Sequence, residues 1–125
     1  MFCGFAETVG KILRVEEKRG KISLLIHTGM TELKTGDALA VNGVKLFLTE
    51  NSPQGEALFF ITPTLLEREK YQPENLVNLE RAMHADARVL GHYIQGVLDA
   101  KAMILNTSEQ DRKISFALNS EFGRY

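Results

Sequence analysis

Alternating apolar and polar positions predict a series of short β-strands rather than long helices. Residues 5–15 and 21–27 alternate around a charged turn that contains Gly20, which is a hairpin pattern. Residues 38–41 and 44–49 flank Asn42-Gly43, a dipeptide that favours a type I′ turn because both residues tolerate a positive φ. Residues 56–62 and 76–81 supply two further strands, with a turn at residues 51–55. Six short strands joined by close turns predict a small barrel.

One short helix is predicted between the fifth and sixth strands. Thr62 is suited to cap its N-terminus and Pro63 to lie in its first turn, and we expect the helix to reach about Lys70. Residues 29–35 are typical of a short connector with room for one helical turn. The chain is therefore expected to be all-β apart from short helices.

The C-terminal segment, residues 96–125, repeats the first hairpin. A shift of 92 positions sets Ile12 on Ile104 and Lys21-Ile22-Ser23 on Lys113-Ile114-Ser115 without a gap. We therefore divide the chain into a barrel over residues 1–95 and a partial second copy over residues 96–125. Because an isolated hairpin is only marginally stable in water, its strands must add to a sheet or pair with another subunit. A homo-oligomer, most simply a dimer with this segment at its interface, is predicted.

Composition and charge exclude several classes of function. Fifteen basic and sixteen acidic residues give a net charge of -1, so the chain has no general attraction for nucleic acid or an anionic membrane. We expect neither a secretory signal nor a membrane span, because no apolar run is long enough. Cys3 is the single cysteine and cannot form an internal disulfide, which suits a reduced, cytoplasmic compartment.

Several motifs together resemble the riboflavin synthase family, which includes non-enzymatic lumazine proteins. The resemblance covers the whole chain and is carried by five segments: Met1-Phe2-Cys3-Gly4, similar to M-F-T-G; Gly36-Asp37-Ala38-Leu39-Ala40-Val41-Asn42-Gly43, similar to G-D-S-I-A-V-N-G; Thr62-Pro63-Thr64-Leu65, similar to P-E-T-L; Val77-Asn78-Leu79-Glu80-Arg81-Ala82, similar to V-N-L-E-R-A; and Gly91-His92-Tyr93-Ile94-Gln95-Gly96, similar to G-H-I-V-Q-G. The resemblance implies six-stranded antiparallel Greek-key barrels that each hold one 6,7-dimethyl-8-ribityllumazine. In the enzyme, one lumazine gives a four-carbon unit to another across a subunit interface, and no metal or cofactor is needed.

The departures from the family pattern concern its reactive positions. The family serine of G-D-S is Ala38 here, the cysteine of N-G-V-C-L-T is Lys45, and the threonine that follows is Phe47. The second histidine of G-H-I-V-Q-G-H is Val97, while the first is retained as His92. Proton removal and nucleophilic activation require side chains such as His or Cys, so we expect inefficient catalysis, with Lys45 and His92 as the remaining candidates.

Binding a planar ring requires fewer specialised side chains than catalysis does. Small residues near a barrel mouth leave room for a planar ring, and aromatic and apolar side chains can pack against its faces. The candidate ligand contacts are Cys3, Gly4, Ala6, Ala38, Ala40, Lys45, Phe47, Phe59, Ile61 and Thr64. For the phenylalanines, packing in the barrel core is the more usual role, and Thr64, retained from the P-E-T-L motif, is the better polar candidate. For Cys3, the alternative is a small buried apolar residue.

No metal site is expected, because His27, His84 and His92 share no ligand spacing. The favoured hypothesis is a binder of riboflavin, its phosphate FMN or the lumazine. A divergent riboflavin synthase that uses Lys45 and His92 is the enzymatic alternative. A purely structural barrel filled by phenylalanines is the third.

Overall fold

The computed structural model describes residues 2–84, 86 and 102–118. Its elements in chain order are β1 (Thr8–Lys18), β2 (Lys21–His27), β3 (Ala38–Val41), β4 (Val44–Asn51), β5 (Glu56–Ile61), α1 (Pro63–Glu69), β6 (Leu76–Arg81), β7 (Met103–Ser108) and β8 (Lys113–Ala117). The first six strands form one closed barrel in the order β1-β2-β5-β4-β3-β6, and β7 and β8 form a separate two-stranded sheet. The predicted antiparallel Greek-key barrel with a short helix and an extra C-terminal hairpin is confirmed.

Strand β1 closes the barrel because it pairs with both β2 and β6. Its first part lies beside β6, with Thr8 opposite Leu79, and the longer part lies beside β2. The register with β2 shifts between Ile12 and Arg14. A β-bulge of this kind bends a strand and increases its twist, which lets one continuous strand serve two neighbours around a small circumference.

The barrel interior is filled by side chains that alternate along the strands. Phe59 lies at its centre with no exposed surface, and Leu79 and Ile12 are equally buried. The other interior residues come from strands β2 to β6, from the connector and from the segment after α1: Ile22, Leu24, Ile26, Leu33, Leu39, Val41, Val44, Leu46, Leu48, Ala57, Ile61, Tyr71 and Val77. Burying this much apolar surface is the main stabilising contribution to such a small domain.

The predicted turn and helix signals are confirmed. Asn42 and Gly43 both have positive φ, 51° and 82°, as a two-residue type I′ connection between β3 and β4 requires. The Thr62 side chain accepts a hydrogen bond from the Leu65 backbone N–H and caps α1, and Pro63 follows at the first helical position. The helix ends at Lys70, which adopts the left-handed conformation with φ of 51°.

Two parts of the sequence-based prediction were wrong. Strand β1 spans Thr8–Lys18 rather than residues 5–15, because a two-residue turn at Arg19 and Gly20 lets the charged residues continue the ladder. Residues 29–35 form no helical turn. Instead, the buried Thr28 hydroxyl donates to the Gly55 carbonyl and accepts from the Met30 backbone N–H. These two hydrogen bonds fix the start of the connector in a non-helical conformation.

The second hairpin copies the first in pattern but differs in register. Its register shift lies between Ile104 and Asn106, which are the repeat equivalents of Ile12 and Arg14. Ser108 pairs with Lys113, so a four-residue loop replaces the two-residue turn of the first hairpin. Arg112 stands where the first copy has Gly20, and this loss of a glycine accounts for the longer loop.

The repeat equivalents of four barrel-core residues are exposed on this hairpin. Ile104, Ile114, Phe116 and Leu118 have 63%, 62%, 54% and 47% of their surface accessible. Their counterparts in the first copy are Ile12, Ile22, Leu24 and Ile26, with 0%, 2%, 0% and 0%. The hairpin thus carries a core-type face that the described part of the chain leaves uncovered.

Candidate ligand-binding site

Several clefts that could hold a ligand lie on the outer surface of the barrel, whose interior is filled by side chains. On β3 and β4, Leu39 and Leu46 point inward and are 1% and 5% exposed. Side chains alternate along a strand, so the residues between them point outward. The predicted ligand contacts on β3 and β4 therefore lie on the outer wall, and a site at the barrel mouth stays a prediction.

Four of the predicted contacts form one patch on that wall. Ala38 lies directly opposite Phe47, and Ala40 lies directly opposite Lys45. Directly opposed side chains on one face of an antiparallel pair lie about 4.5–5.5 Å apart at Cβ. We call these four residues the outer-face patch. Ala38 is partly buried and Ala40 is only 3% exposed, so the Phe47 ring and the Lys45 amine are the exposed part of the patch on which a planar ring could lie.

The lysine and the phenylalanine of the outer-face patch contact each other. The Lys45 Nζ lies 4.9 Å from the centroid of the Phe47 ring, within cation–π range. The Phe47 side chain is 59% exposed despite this contact. An exposed ring held by a neighbouring side chain is available for stacking, so both residues are placed to touch a bound molecule.

An N-terminal arm, residues 3–7, borders the outer-face patch. A cleft of about 320 Å³ lies between the arm and strands β3 and β6, and this arm cleft is lined by Gly4, Ala6, Ala40, Asn42, Gly43, Asn78, Leu79 and Glu80. The volume lies near the lower end of the roughly 300–1,000 Å³ typical of small-molecule sites. Three of the predicted contacts, Gly4, Ala6 and Ala40, meet here.

Glu80 fastens the arm to β6. Its Oε1 accepts hydrogen bonds from the backbone N–H groups of Cys3 at 2.5 Å and Gly4 at 3.0 Å, and its Oε2 lies 3.1 Å from the Gly4 nitrogen. The residue is only 7% exposed and lies opposite Ala40 in the ladder. Sequence reasoning gave Glu80 no role, although it stands within the Val77-Asn78-Leu79-Glu80-Arg81-Ala82 motif.

Thr64 lies in a second cleft, at the start of α1. This cleft has a volume of about 330 Å³ and is lined by Val44, Thr62, Thr64, Leu65 and Arg68. Its Val44 directly precedes Lys45 of the outer-face patch. Thr64 is exposed, and its hydroxyl makes no hydrogen bond within the described residues, so the cleft offers a polar group beside the patch.

Phe59 and Ile61 do not reach the outer wall. They are 0% and 7% exposed and belong to the interior, so their placement does not support contact with a ligand. Core packing, the alternative role for the phenylalanines, accounts for Phe59. Its neighbour Phe60 points outward instead, is 51% exposed, and has the Lys21 Nζ 5.8 Å from its ring centroid. The continuous apolar run of β5 gave no period-2 signal to separate the two faces.

Cys3 and His92 are the two remaining predicted site residues. Cys3 is exposed, which contradicts the alternative of a buried apolar residue. It lines a neighbouring cleft on the other side of the arm, of about 440 Å³, together with Phe5, Glu7, Arg81 and His84 among others. Ala38 borders a further cleft next to the connector of residues 29–35. His92 lies outside the described residues.

The described part of the chain contains neither a cluster of metal-ligating side chains nor a membrane-spanning helix. Among residues 2–84, 86 and 102–118, no group of three or more His, Cys, Asp or Glu side chains is placed to hold a metal ion. Within the same residues, no helix is long and apolar enough to cross a membrane.

Comparison with known proteins identifies the barrel. The riboflavin synthase of Meyerozyma guilliermondii is 33% identical over 141 residues, and that of Saccharomyces cerevisiae is 31% identical over 140 residues, in each case across all of this chain. The solved structure of LumP complexed with riboflavin matches 87% of this chain with a TM-score of 0.70 and 23% identity. The chain contains a barrel domain of the riboflavin synthase and LumP kind.

This riboflavin-synthase-like barrel does not account for the full length of its relatives. The chain spans 59% and 58% of the two yeast riboflavin synthases and 61% of the LumP chain. No protein-family model matches the chain. The resemblance drawn from the motifs is confirmed for the barrel, and the fold places four of the five motifs at the arm, the β3–β4 hairpin, α1 and β6. The fifth motif, residues 91–96, lies outside the described residues.

Proposed function

We propose that this chain binds riboflavin, FMN or 6,7-dimethyl-8-ribityllumazine on the outer wall of its barrel. The observation that carries the proposal is the outer-face patch, with the arm cleft next to it, on a riboflavin-synthase-like barrel. Solved structures of LumP with TM-scores of 0.70, 0.62 and 0.63 contain riboflavin, the ribityllumazine and FMN respectively. A planar ring on the patch has the Phe47 face for stacking and the small side chain of Ala38 beside it, and Ala40 lines the adjoining arm cleft.

Fluorescence titration of the purified protein with riboflavin tests the proposal. We expect a dissociation constant in the micromolar range or tighter, which corresponds to roughly -8 kcal/mol. Lys45→Ala should weaken binding, because it removes the cation next to Phe47. Lys18→Ala is the matched control, since Lys18 is an exposed lysine on β1 that pairs with Glu16. No change in ligand emission at tens of micromolar wild-type protein would refute the proposal.

We further propose that the chain lacks efficient synthase activity. Lys45 lies on the outer-face patch, but Ala38, Phe47 and Val97 offer no nucleophile or base. The identity to yeast riboflavin synthases favours the second candidate, a divergent synthase that acts across a subunit interface. Incubation with the ribityllumazine and chromatography distinguish the two. Riboflavin formed at about one turnover per second would establish the enzyme, since that is within the ordinary range of kcat.

A homodimer through the second hairpin is the third part of the proposal. The uncovered face of Ile104, Ile114, Phe116 and Leu118 supports it, because a soluble domain seldom leaves contiguous core-type residues in water. Two copies of the same face can cover each other about a two-fold axis. With Cys3 as the single cysteine, a reduced cytoplasmic compartment remains the predicted location.

Light scattering on two variants tests the dimer. Deletion of residues 96–125 should give a monomer, and so should Ile104→Ser with Phe116→Ser, a cross-strand pair whose replacement leaves the barrel core intact. A truncated chain that stays dimeric would show that the interface lies elsewhere. Wild-type protein that is monomeric at high micromolar concentration would refute the dimer itself.

A further inference from the structure

Glu80 is an unusual residue for the outer wall of a barrel, because it is charged and 7% exposed. Both of its oxygens face the arm, where they receive the backbone N–H groups of Cys3 and Gly4. Gly4 has a φ of 79°, in the left-handed region that favours glycine, so the arm bends at the residue that Glu80 holds. A buried carboxylate with its acceptors directed at two adjacent amides forms a short backbone clamp.

The arm is tied down again at its other end. The Glu7 backbone N–H donates to the Leu79 carbonyl at 2.9 Å. The Arg81 backbone N–H and its Nε donate to the two Glu7 carboxylate oxygens at 2.8 Å each. Between the two ties, Ala6 is exposed and Phe5 is 65% exposed. The arm therefore depends on its two anchored ends rather than on burial of its own side chains.

The two faces of the arm line different clefts. Gly4 and Ala6 line the arm cleft, whereas Cys3, Phe5 and Glu7 line the neighbouring one. This alternation is that of an extended segment, in which successive residues point to opposite sides. The arm is thus the wall between two clefts, and its position sets the width of the arm cleft over Ala40.

We infer that Glu80 is a positioning residue for the ligand, acting through the arm. It holds the Cys3 and Gly4 amides so that the arm stays as the wall of the arm cleft and keeps Gly4 and Ala6 against the bound ring. Although Glu80 borders the arm cleft, its carboxylate oxygens are directed at the arm backbone, so we assign it a positioning role. The inference rests on the proposed binding of a flavin or lumazine.

The primary test is Glu80→Gln with riboflavin as the probe. A glutamine side chain has one carbonyl oxygen in place of two carboxylate oxygens, so it cannot receive both amides with a charged acceptor. We expect the dissociation constant to rise roughly tenfold. Amide exchange measured by NMR without ligand should accelerate at Cys3 and Gly4 and stay unchanged in β2 and β5. Glu17→Gln, an exposed glutamate on β1, is the matched control and should change neither quantity.

A deletion separates positioning from a general effect on folding. Removal of residues 2–5 should weaken riboflavin binding as much as Glu80→Gln does. Adding Glu80→Gln to this deletion should change the dissociation constant no further, because both changes remove the same wall of the arm cleft. Additive losses would overturn the inference, as would wild-type affinity in Glu80→Gln. If the wild-type chain binds no riboflavin, the proposed function fails. If it binds and Glu80→Gln binds equally well, only the positioning role fails.

Discussion

Removal of one hydroxyl group, in Tyr71→Phe, is expected to change both the stability of the barrel and its pH dependence. Tyr71 follows α1, is 3% exposed, and donates a hydrogen bond from its hydroxyl to the Val41 carbonyl at 3.1 Å. Val41 is fully buried and ends β3 just before the Asn42-Gly43 turn. The substitution keeps the ring and its packing and removes only this hydrogen bond.

The expected magnitude follows from two contributions. At pH 7, loss of a buried hydrogen bond should lower the free energy of unfolding by about 1–2 kcal/mol. Burial, assisted by the nearby Glu69 carboxylate, raises the pKa of Tyr71 above its ordinary value. The stabilising contribution of Tyr71 is therefore fully present below about pH 10. It decreases as the pH rises further, because the Tyr71 hydroxyl ionises in the unfolded chain before it does in the folded one. At pH 11 this decrease amounts to about 1.4 kcal/mol, so most of the difference between variant and wild type should vanish.

Urea unfolding of both proteins at pH 7 and pH 11 measures this double difference. Titration of every other group is common to wild type and variant and cancels when the two are compared at each pH. Equal differences at the two pH values would refute the buried, unionised tyrosine. A variant as stable as wild type at pH 7 would refute the stabilising hydrogen bond with Val41.

Three further predictions test the fold. Phe59→Ala should cost about 3–5 kcal/mol, because it empties the barrel centre, whereas the outward Phe60→Ala should cost less than about 1 kcal/mol; urea unfolding of the pair would contradict the assigned faces if the order reversed. Gly10→Ala places a Cβ 2.6 Å from Leu79 Cδ1 and should lower the melting temperature through a loss of about 1–3 kcal/mol, so an unchanged melting temperature would be inconsistent with this packing. Thr62→Ala should cost about 1 kcal/mol as a lost helix cap, and Thr62→Ser should recover most of that loss in the same assay.

Much of the barrel could be predicted from local signals. The bounds of β2, β3 and β6 agree with residues 21–27, 38–41 and 76–81, because each is an apolar segment ended by a turn. Asn42-Gly43 and Thr62-Pro63 fixed a turn and a helix start through backbone preferences that act within a few residues. The end of β1 was missed because charged residues weaken the strand pattern, while the ladder with β2 extends through them to Lys18.

The candidate site was predictable only in part, for a reason that lies in β5. Five apolar residues in succession do not reveal which face of the strand is buried. The sequence therefore predicts Phe59 and Ile61 as ligand contacts, whereas Phe60 is the residue that points outward. The role of Glu80 depends on contacts with Cys3 and Gly4, more than seventy positions away in the chain. No pattern within one segment reveals a contact of that separation. Motif resemblance located the residues that approach each other, but not the bonds between them.

The alternation along β4 separates the candidate ligand contacts from the residues that stabilise the fold. The inward side chains of this eight-residue strand, those of Val44, Leu46 and Leu48, pack in the barrel core. The outward side chains of Lys45 and Phe47 do not contribute to that core. Exposed positions can usually change at a cost within about 0.5 kcal/mol, whereas inward ones cannot. Reactive side chains on such a strand are free to diverge while the barrel persists. A family built this way can lose a reaction, keep a ligand and acquire a new ligand preference without refolding.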